Sequence, residues 1–429
     1  LSLKNVNFNT GYLTPATTSE FEFEAIAQYG KLTAPLSIKS TIKPHVAFNG
    51  FTIHNFKLKS RGIDLTFNGY LSANTMGAIG GEGQIHISNF SPRNWLAAAN
   101  LPIPITQNLT RFTLAALNTD VKLSDEMLSL QDLKLKLDES EFSGQLDFSF
   151  KPLNLNVDGA IDSIDLDSYF WETRTTKTLE NNRQFSFFPG AYKIDIQTLK
   201  VNSTEYTNLQ IEVGVSSDEI TLGRFSVEAF GGSLQLTGTH LTVPEITLIN
   251  GTINKIDLKK FALHQPLAFS SGQINGAFDL RGAGKISQEV QHSLSGSLRI
   301  SITDALLQKI NFAEALCNAL DESYKSNAEP NQGTLRISVD FEEGVGIIDI
   351  LNAEIANVNL NGNGRISFLS RAIALSGQLQ IPLDGKFQSC KVPEKIRGLR
   401  LPFNCRGKFT AQSFSCRFDS SALSAILQN

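Results

Sequence analysis

The sequence predicts a mainly β protein: a long, highly twisted antiparallel β-sheet bent into a trough, a taco-like groove with an apolar interior, plus a few short helices. Three observations predict it. Apolar and polar residues alternate through most of the 429 residues, the period that sends successive side chains to opposite faces of a strand. Asn-Gly and Asp-Gly dipeptides, which tolerate positive φ, punctuate the alternating runs. Charged residues make up 19% of the chain, below the roughly one quarter of an average globular domain, so less of the surface is built for water.

The alternation is clearest at Leu209, Ile211, Val213 and Val215, at Leu234 and Leu236, at Leu298, Ile300 and Ile302, at Leu335, Ile337, Val339 and Phe341, and at Val358, Leu360, Ile366 and Phe368. These residues are the expected lining of the apolar face. Asn-Gly recurs at Asn49-Gly50, Asn68-Gly69, Asn250-Gly251, Asn275-Gly276, Asn361-Gly362 and Asn363-Gly364, and Asp-Gly at Asp158-Gly159 and Asp384-Gly385. Each is a short-hairpin signal, with bulges or bends inside long strands as the alternative.

Two phrases alternate along the chain. In one, a strand runs into a short helical turn, at 86–98, 159–171 and 251–262, where Asn or Asp can cap the helix. In the other, a strand is broken by small residues, at 139–150, 227–238 and 353–364. This is a repeat architecture, read in three stretches: N-terminal β repeats over 1–79, central repeats with helical turns over 80–290, and a C-terminal region over 291–429. The last includes a helix over 311–326, with Phe312, Ala315, Leu316, Ala319 and Leu320 on one face, and a short helix from about Ser420 to Leu427. Roughly 25–30 strands at a 4.8 Å spacing make a ribbon on the order of 120 Å long. A sheet of that size either folds over on itself or covers its apolar face with something greasy.

Net charge is −4, with acids and bases interspersed, so nucleic acid is not an expected partner. The run Lys31, Lys39, Lys43, Lys57, Lys59 and Arg61 contains no acid-rich interruption on its strands; its spacing suits the wet face of solvated strands better than a patch for anionic lipid. No apolar run reaches the ~18 residues of a membrane helix. The chain starts at Leu1 in strand-like sequence, and any signal or anchor is expected upstream of it. Four cysteines are present, Cys317, Cys390, Cys405 and Cys416. Their spacing does not suit zinc, and Cys405–Cys416 is the first disulfide candidate, Cys390–Cys405 the second.

No catalytic constellation emerges. The six histidines are scattered, no Gly-x-Ser-x-Gly elbow is present, and Asp162, Asp165 and Asp167 lack the glycine and distal glutamate of a calcium loop, so a helix cap is expected there. No metal or cofactor is expected, and the chain is not expected to be an enzyme. The stripes alone suit the core of a two-layer sandwich as well as a lipid path. The abundance of Phe, 29 against 2 Trp, beside Ile, Leu and Val favours a surface for acyl chains, which need contact without hydrogen bonds. An outer-membrane barrel fits poorly without aromatic girdles.

Several stretches resemble the C-terminal region of the AsmA family, envelope proteins related in design to TamB: FSPRNWLAAANLPIP (90–104), LQDLKLKLDESEFSGQLDF (130–148), LNVDGAIDSIDLDSYF (155–170), LQIEVGVSSDEITLGRFSVEAFGGSLQLTG (209–238), KIRGLRLPFNCRGKF (395–409) and SCRFD (415–419). The resemblance implies a gram-negative periplasmic protein, tethered to the inner membrane by an upstream helix. It implies a bridge-like apolar trough that carries phospholipid or another envelope lipid for outer-membrane biogenesis. The alternative it implies is a non-conducting scaffold assisting the assembly of outer-membrane proteins.

Overall fold

The computed structural model describes residues 2–29, 32–47, 49–73, 78–99, 101–169, 188–262, 269–307, 317, 331–355, 358–383, 392–408 and 415–418. The protein is mainly β, with 72% of it in strands and 7% helical. It divides into two units, Leu1–Ser217 and Asp218–Asn429. The expected boundaries at 79/80 and 290/291 lie inside these units, at the start of one strand and within a short helix.

The first unit is an open sheet of twelve strands: β1 (Ser2–Thr10), β2 (Ser19–Tyr29), β3 (Leu32–Pro44), β4 (Gly50–Ser60), β5 (Ile63–Ala73), β6 (Ile79–Phe90), β7 (Ala115–Leu123), β8 (Met127–Leu137), β9 (Ser140–Phe150), β10 (Leu153–Asp165), β11 (Gly190–Val201) and β12 (Thr204–Val215). Each strand pairs with the next. All of these pairs are antiparallel except β10–β11, which is parallel. Parallel neighbours need a crossover, and here the chain leaves β10 through helix α2 (Leu166–Tyr169) before returning at Gly190. Helix α1 (Pro92–Ala98) follows β6; Ser91 caps it by accepting the Asn94 N–H, and Pro92 occupies its first turn, where a missing N–H costs nothing.

The second unit is an open antiparallel sheet of eleven strands: β13 (Glu219–Ala229), β14 (Gly232–Thr242), β15 (Glu245–Asp257), β16 (Phe269–Ala283), β17 (Ser295–Leu307), β18 (Asn331–Glu342), β19 (Val345–Ile355), β20 (Val358–Ser367), β21 (Ala372–Gln380), β22 (Arg400–Lys408) and β23 (Ser415–Phe418). Successive strands pair throughout. Helix α3 (Leu258–Ala262) follows β15 and α4 (Ser287–His292) follows β16. The three strand-to-helix phrases thus hold α1, α2 and α3, while α4 had no signal in the alternation. The expected helices over 311–326 and 420–427 lie outside the described residues, apart from Cys317.

The Asn-Gly dipeptides follow the alternative, bulges inside strands, more often than the hairpin reading. Asn68-Gly69, Asn250-Gly251, Asn275-Gly276, Asn361-Gly362 and Asn363-Gly364 sit inside strands, as does Asp158-Gly159; Asp384 lies outside the described residues. Only Asn49-Gly50 adjoins a turn, ahead of β4. Four tight hairpins use other pairs with positive φ at both residues, Arg61-Gly62, Asn202-Ser203, Phe230-Gly231 and Glu343-Gly344, the twist that matches flanking strands. Asn68 and Asn275 lie instead opposite β-bulges, between Ile53 and Phe56 and between Ile253 and Ile256. Further bulges interrupt β1, β6, β8 and β13. Bulges bend and twist a sheet, and twelve or eleven strands carrying them curve without closing.

The first-choice disulfide is present: Cys405 and Cys416 are directly paired across β22 and β23 and bonded, which excludes Cys390–Cys405. Cys317 is also disulfide-bonded, and Cys390 lies outside the described residues.

Candidate functional site

Following the register from strand to strand turns the alternation into rows. In the first unit one row crosses all twelve strands: Phe8, Phe23, Ile38, Leu58, Leu65, Ile87, Leu117, Leu135, Phe142, Ile161, Ile196 and Leu209. Every member is apolar. A second row beside it runs Phe51, Leu71, Gly81, Leu123, Leu128, Phe148 and Leu155. One position along each strand the side chains turn to the other face, and there the row reads Asn9, Glu22, Lys39, Lys57, Thr66, His86, Asn118 and Lys134. Lys39 and Lys57, both from the basic run, therefore stand on the wet face, where Lys39 pairs with Glu22 at 2.8 Å. The long row spans about 50 Å of contour at the usual strand spacing.

The second unit repeats the arrangement. One row runs Val227, Leu234, Ile253, Gly276, Ile300, Ile337, Leu351, Gly362, Gly377 and Phe403. Its neighbour runs Phe225, Leu236, Gly251, Phe278, Leu298, Val339, Ile348, Gly364, Leu375, Cys405 and Cys416. The glycines have a steric reason. A Cβ at Gly251 would lie 2.3 Å from the Phe278 ring, and one at Gly377 would lie 2.9 Å from Phe403. Rings lying over neighbouring glycines account for part of the Phe content that the composition shows.

Of the residues expected to line the apolar face, Leu209, Ile211, Val213 and Val215 share one face of β12, and the rest fall on the rows of the second unit or beside them. Their burial differs sharply. Ile302, Leu335, Val339, Phe341, Val358 and Leu360 are buried, Val358 completely, whereas Ile211, Val213, Val215, Leu234, Leu236, Leu298, Ile300, Ile337, Ile366 and Phe368 remain partly open. Leu258 of α3 packs with Ile302, Ala305, Leu335 and Val339 in one core cluster. The face is thus sealed over much of β18–β22. The first unit is more open: Phe51, Leu71, Leu135, Phe150 and Leu153 all exceed a third exposure on the apolar face. None of these five was singled out by the sequence, because identical alternation precedes both sealed and open stretches.

A polar rim ends the long row. Beyond Ile161, Ile196 and Leu209 the next positions on that face are Ser163, Thr198 and Thr207, then Asp165, Lys200 and Glu205. All but Thr207 border a cavity of about 210 Å3 that Arg111, Glu139, Ser140, Ile164 and Tyr169 complete. Asp138, buried, anchors the surroundings: its carboxylate accepts the N–H groups of Phe112, Thr113 and Leu114 and the Tyr169 hydroxyl. Burial works to raise the Asp138 carboxyl, but these donors outweigh it and hold it below the usual carboxylate range. Burial and the hydrogen bond to Asp138 push the Tyr169 phenol up to about 12. Burial likewise opposes ionisation of Asp165, and Ser168 and Lys200 overcome it, leaving that carboxyl lowered.

The three-aspartate phrase resolves into three jobs, only one of them the expected cap. Asp165 receives the Ser168 hydroxyl at 2.9 Å at the start of α2. Asp162 accepts the Glu141 N–H at 2.8 Å across the sheet. Asp167 accepts both N–H groups of the Asn202-Ser203 turn. Among the described residues no group of His, Cys, Asp and Glu could hold a metal ion, and no helix is long and apolar enough to cross a membrane. Comparison with known proteins finds no matching family model, no matching curated protein and no matching solved structure.

Proposed function

We propose that this chain binds lipid through its apolar face and, as the AsmA resemblance implies, carries phospholipid acyl chains between the inner and outer membranes. The observation that carries this reading is the unbroken apolar row from Phe8 to Leu209, partly open from Phe8 to Ile196 and backed by a polar face. Each CH2 of an acyl chain that leaves water for such a surface gains about 0.8 kcal/mol. A row of similar side chains offers no deep trap, which suits sliding. The described cysteines, Cys317, Cys405 and Cys416, are all disulfide-bonded, which supports an oxidising compartment such as the periplasm. Tethering to the inner membrane would be the work of a segment upstream of Leu1.

The test is to purify the chain without harsh detergent and identify bound molecules by mass spectrometry. A photo-crosslinking side chain at Leu135 or Ile337 should label lipid. Labelling of polypeptide alone, with no co-purified lipid, would replace this reading with the scaffold for outer-membrane proteins.

A further inference from the structure

The cavity at the rim of β9–β12 contains more chemistry than a structural corner requires. Arg111 is 12% exposed at its side chain, and its guanidinium pairs with Glu139. It also donates to Ser168 Oγ at 3.2 Å and lies 5.3 Å from the centre of the Tyr169 ring. Its Nε is nevertheless buried without a hydrogen-bond partner, and so is Oδ1 of Asp165, another residue of the lining. A buried donor and a buried acceptor left unpaired are uncommon, and each demands a partner. The remaining ion pair is exchangeable: Lys200 reaches Asp165 at 3.4 Å, with side chains 47% and 30% exposed, and such pairs contribute little.

The lining has both signs, Arg111 and Lys200 against Glu139, Asp165 and Glu205. An anion alone would face three carboxylates, and a cation alone would face the guanidinium. A group that bears both charges meets both needs, its phosphate oxygens accepting from the Arg111 guanidinium and Lys200 and its ammonium donating to Asp165 and Glu205. The cavity, about 210 Å3, far exceeds the roughly 15 Å3 that one water needs. It opens beside the apolar row, so a molecule seated there by its polar end has the partly open Ile161 and Ile196 under its tails.

We infer that this rim cavity is a headgroup site for a zwitterionic amine-phosphate lipid, with its acyl chains laid along the Phe142–Ile161–Ile196 part of the row. The inference rests on the lipid reading above, and the experiment separates the two. Binding to the full chain is measured by calorimetry with three soluble probes: a dihexanoyl phosphoethanolamine lipid, its phosphoglycerol counterpart, and glycerophosphoethanolamine without tails. The ethanolamine lipid is expected to bind roughly tenfold tighter than the glycerol lipid, the worth of one charge-assisted hydrogen bond. Glu205→Gln, at the open edge of the cavity, should erase that preference, and Lys200→Gln, which loses a phosphate contact common to both lipids, should weaken both without erasing it, each leaving the circular dichroism unchanged. Equal binding of both lipids, or a preference that survives Glu205→Gln, overturns the headgroup site and leaves the apolar row intact. Tailless glycerophosphoethanolamine binding as tightly as the lipid supports the headgroup site and removes the role of the row.

Discussion

Asn275 Oδ1 accepts the backbone N–H of Lys255 at 3.0 Å, across the bulge that β15 makes between Ile253 and Ile256. Lys255 has φ +53° there, a left-handed geometry that removes its N–H from the ladder. The same device recurs in the first unit, where Asn68 Oδ1 accepts the Asn55 N–H at 2.7 Å and Asn55 has φ +48°. An Asn opposite a bulge replaces the lost ladder bond, and the Gly that follows it turns onto the apolar face.

Replacing that side chain should therefore cost a hydrogen bond and nothing else. Asn275→Ala is expected to lower stability by about 1 kcal/mol, read as a shift of the urea midpoint. Asn275→Asp, which keeps the acceptor, should retain most of it. Equal losses in both variants would mean that Asn275 acts by another route.

The glycines on the apolar face give a second expectation. A Cβ at Gly159 would lie 2.4 Å from the Phe142 ring, so Gly159→Ala forces the ring aside and is expected to cost about 1–3 kcal/mol. Phe142→Leu should absorb much of that cost. The double variant is then more stable than the sum of the single losses allows, a coupling that a thermal-denaturation cycle measures.

Much of this was legible in the sequence, and the limits are physical. Period two assigns a face within a strand, so Leu298, Ile300 and Ile302 were readable as one set, and Leu335, Ile337 and Val339 as another. That the sets face each other residue by residue depends on register, which hairpin and bulge lengths set. Bulges shift the period, so Ile53 and Phe56 share a face though three residues apart. Asn-Gly signals positive φ or a small residue, and a hairpin is only one place that needs either. The rim was beyond reach, since Arg111, Asp165 and Lys200 meet only once β10 and β11 pair. Cys405 and Cys416 were reachable because their short separation fits a hairpin.

The acid limb of stability should reveal Asp138. Its folded-state pKa is depressed relative to the unfolded chain, so its contribution is complete above about pH 4 and is lost as pH falls through the folded value. Asp165 adds in the same direction. Asp138→Asn is expected to lose about 2 kcal/mol at pH 7 and to flatten the acid limb, so that its urea midpoint approaches the wild-type one near pH 2. Parallel curves for the two proteins would show that Asp138 titrates alike folded and unfolded.

Open and sealed parts of the apolar face should respond in opposite ways. Leu135 is 42% exposed in the long row, whereas Val358 is fully buried. Leu135→Glu removes little packing, so the folded state should change by less than about 1 kcal/mol, but a charge in the middle of the row repels an acyl chain. Val358→Ala leaves the open surface untouched and opens a void, at an expected cost of about 1–3 kcal/mol. Lipid co-purifying with the chain, counted by native mass spectrometry, should fall severalfold in Leu135→Glu and hold steady in Val358→Ala at temperatures where both are folded. Thermal denaturation should rank them the other way. If lipid instead falls with Val358→Ala alone, the sealed region is the binding surface and the row from Phe8 to Leu209 is only a scaffold.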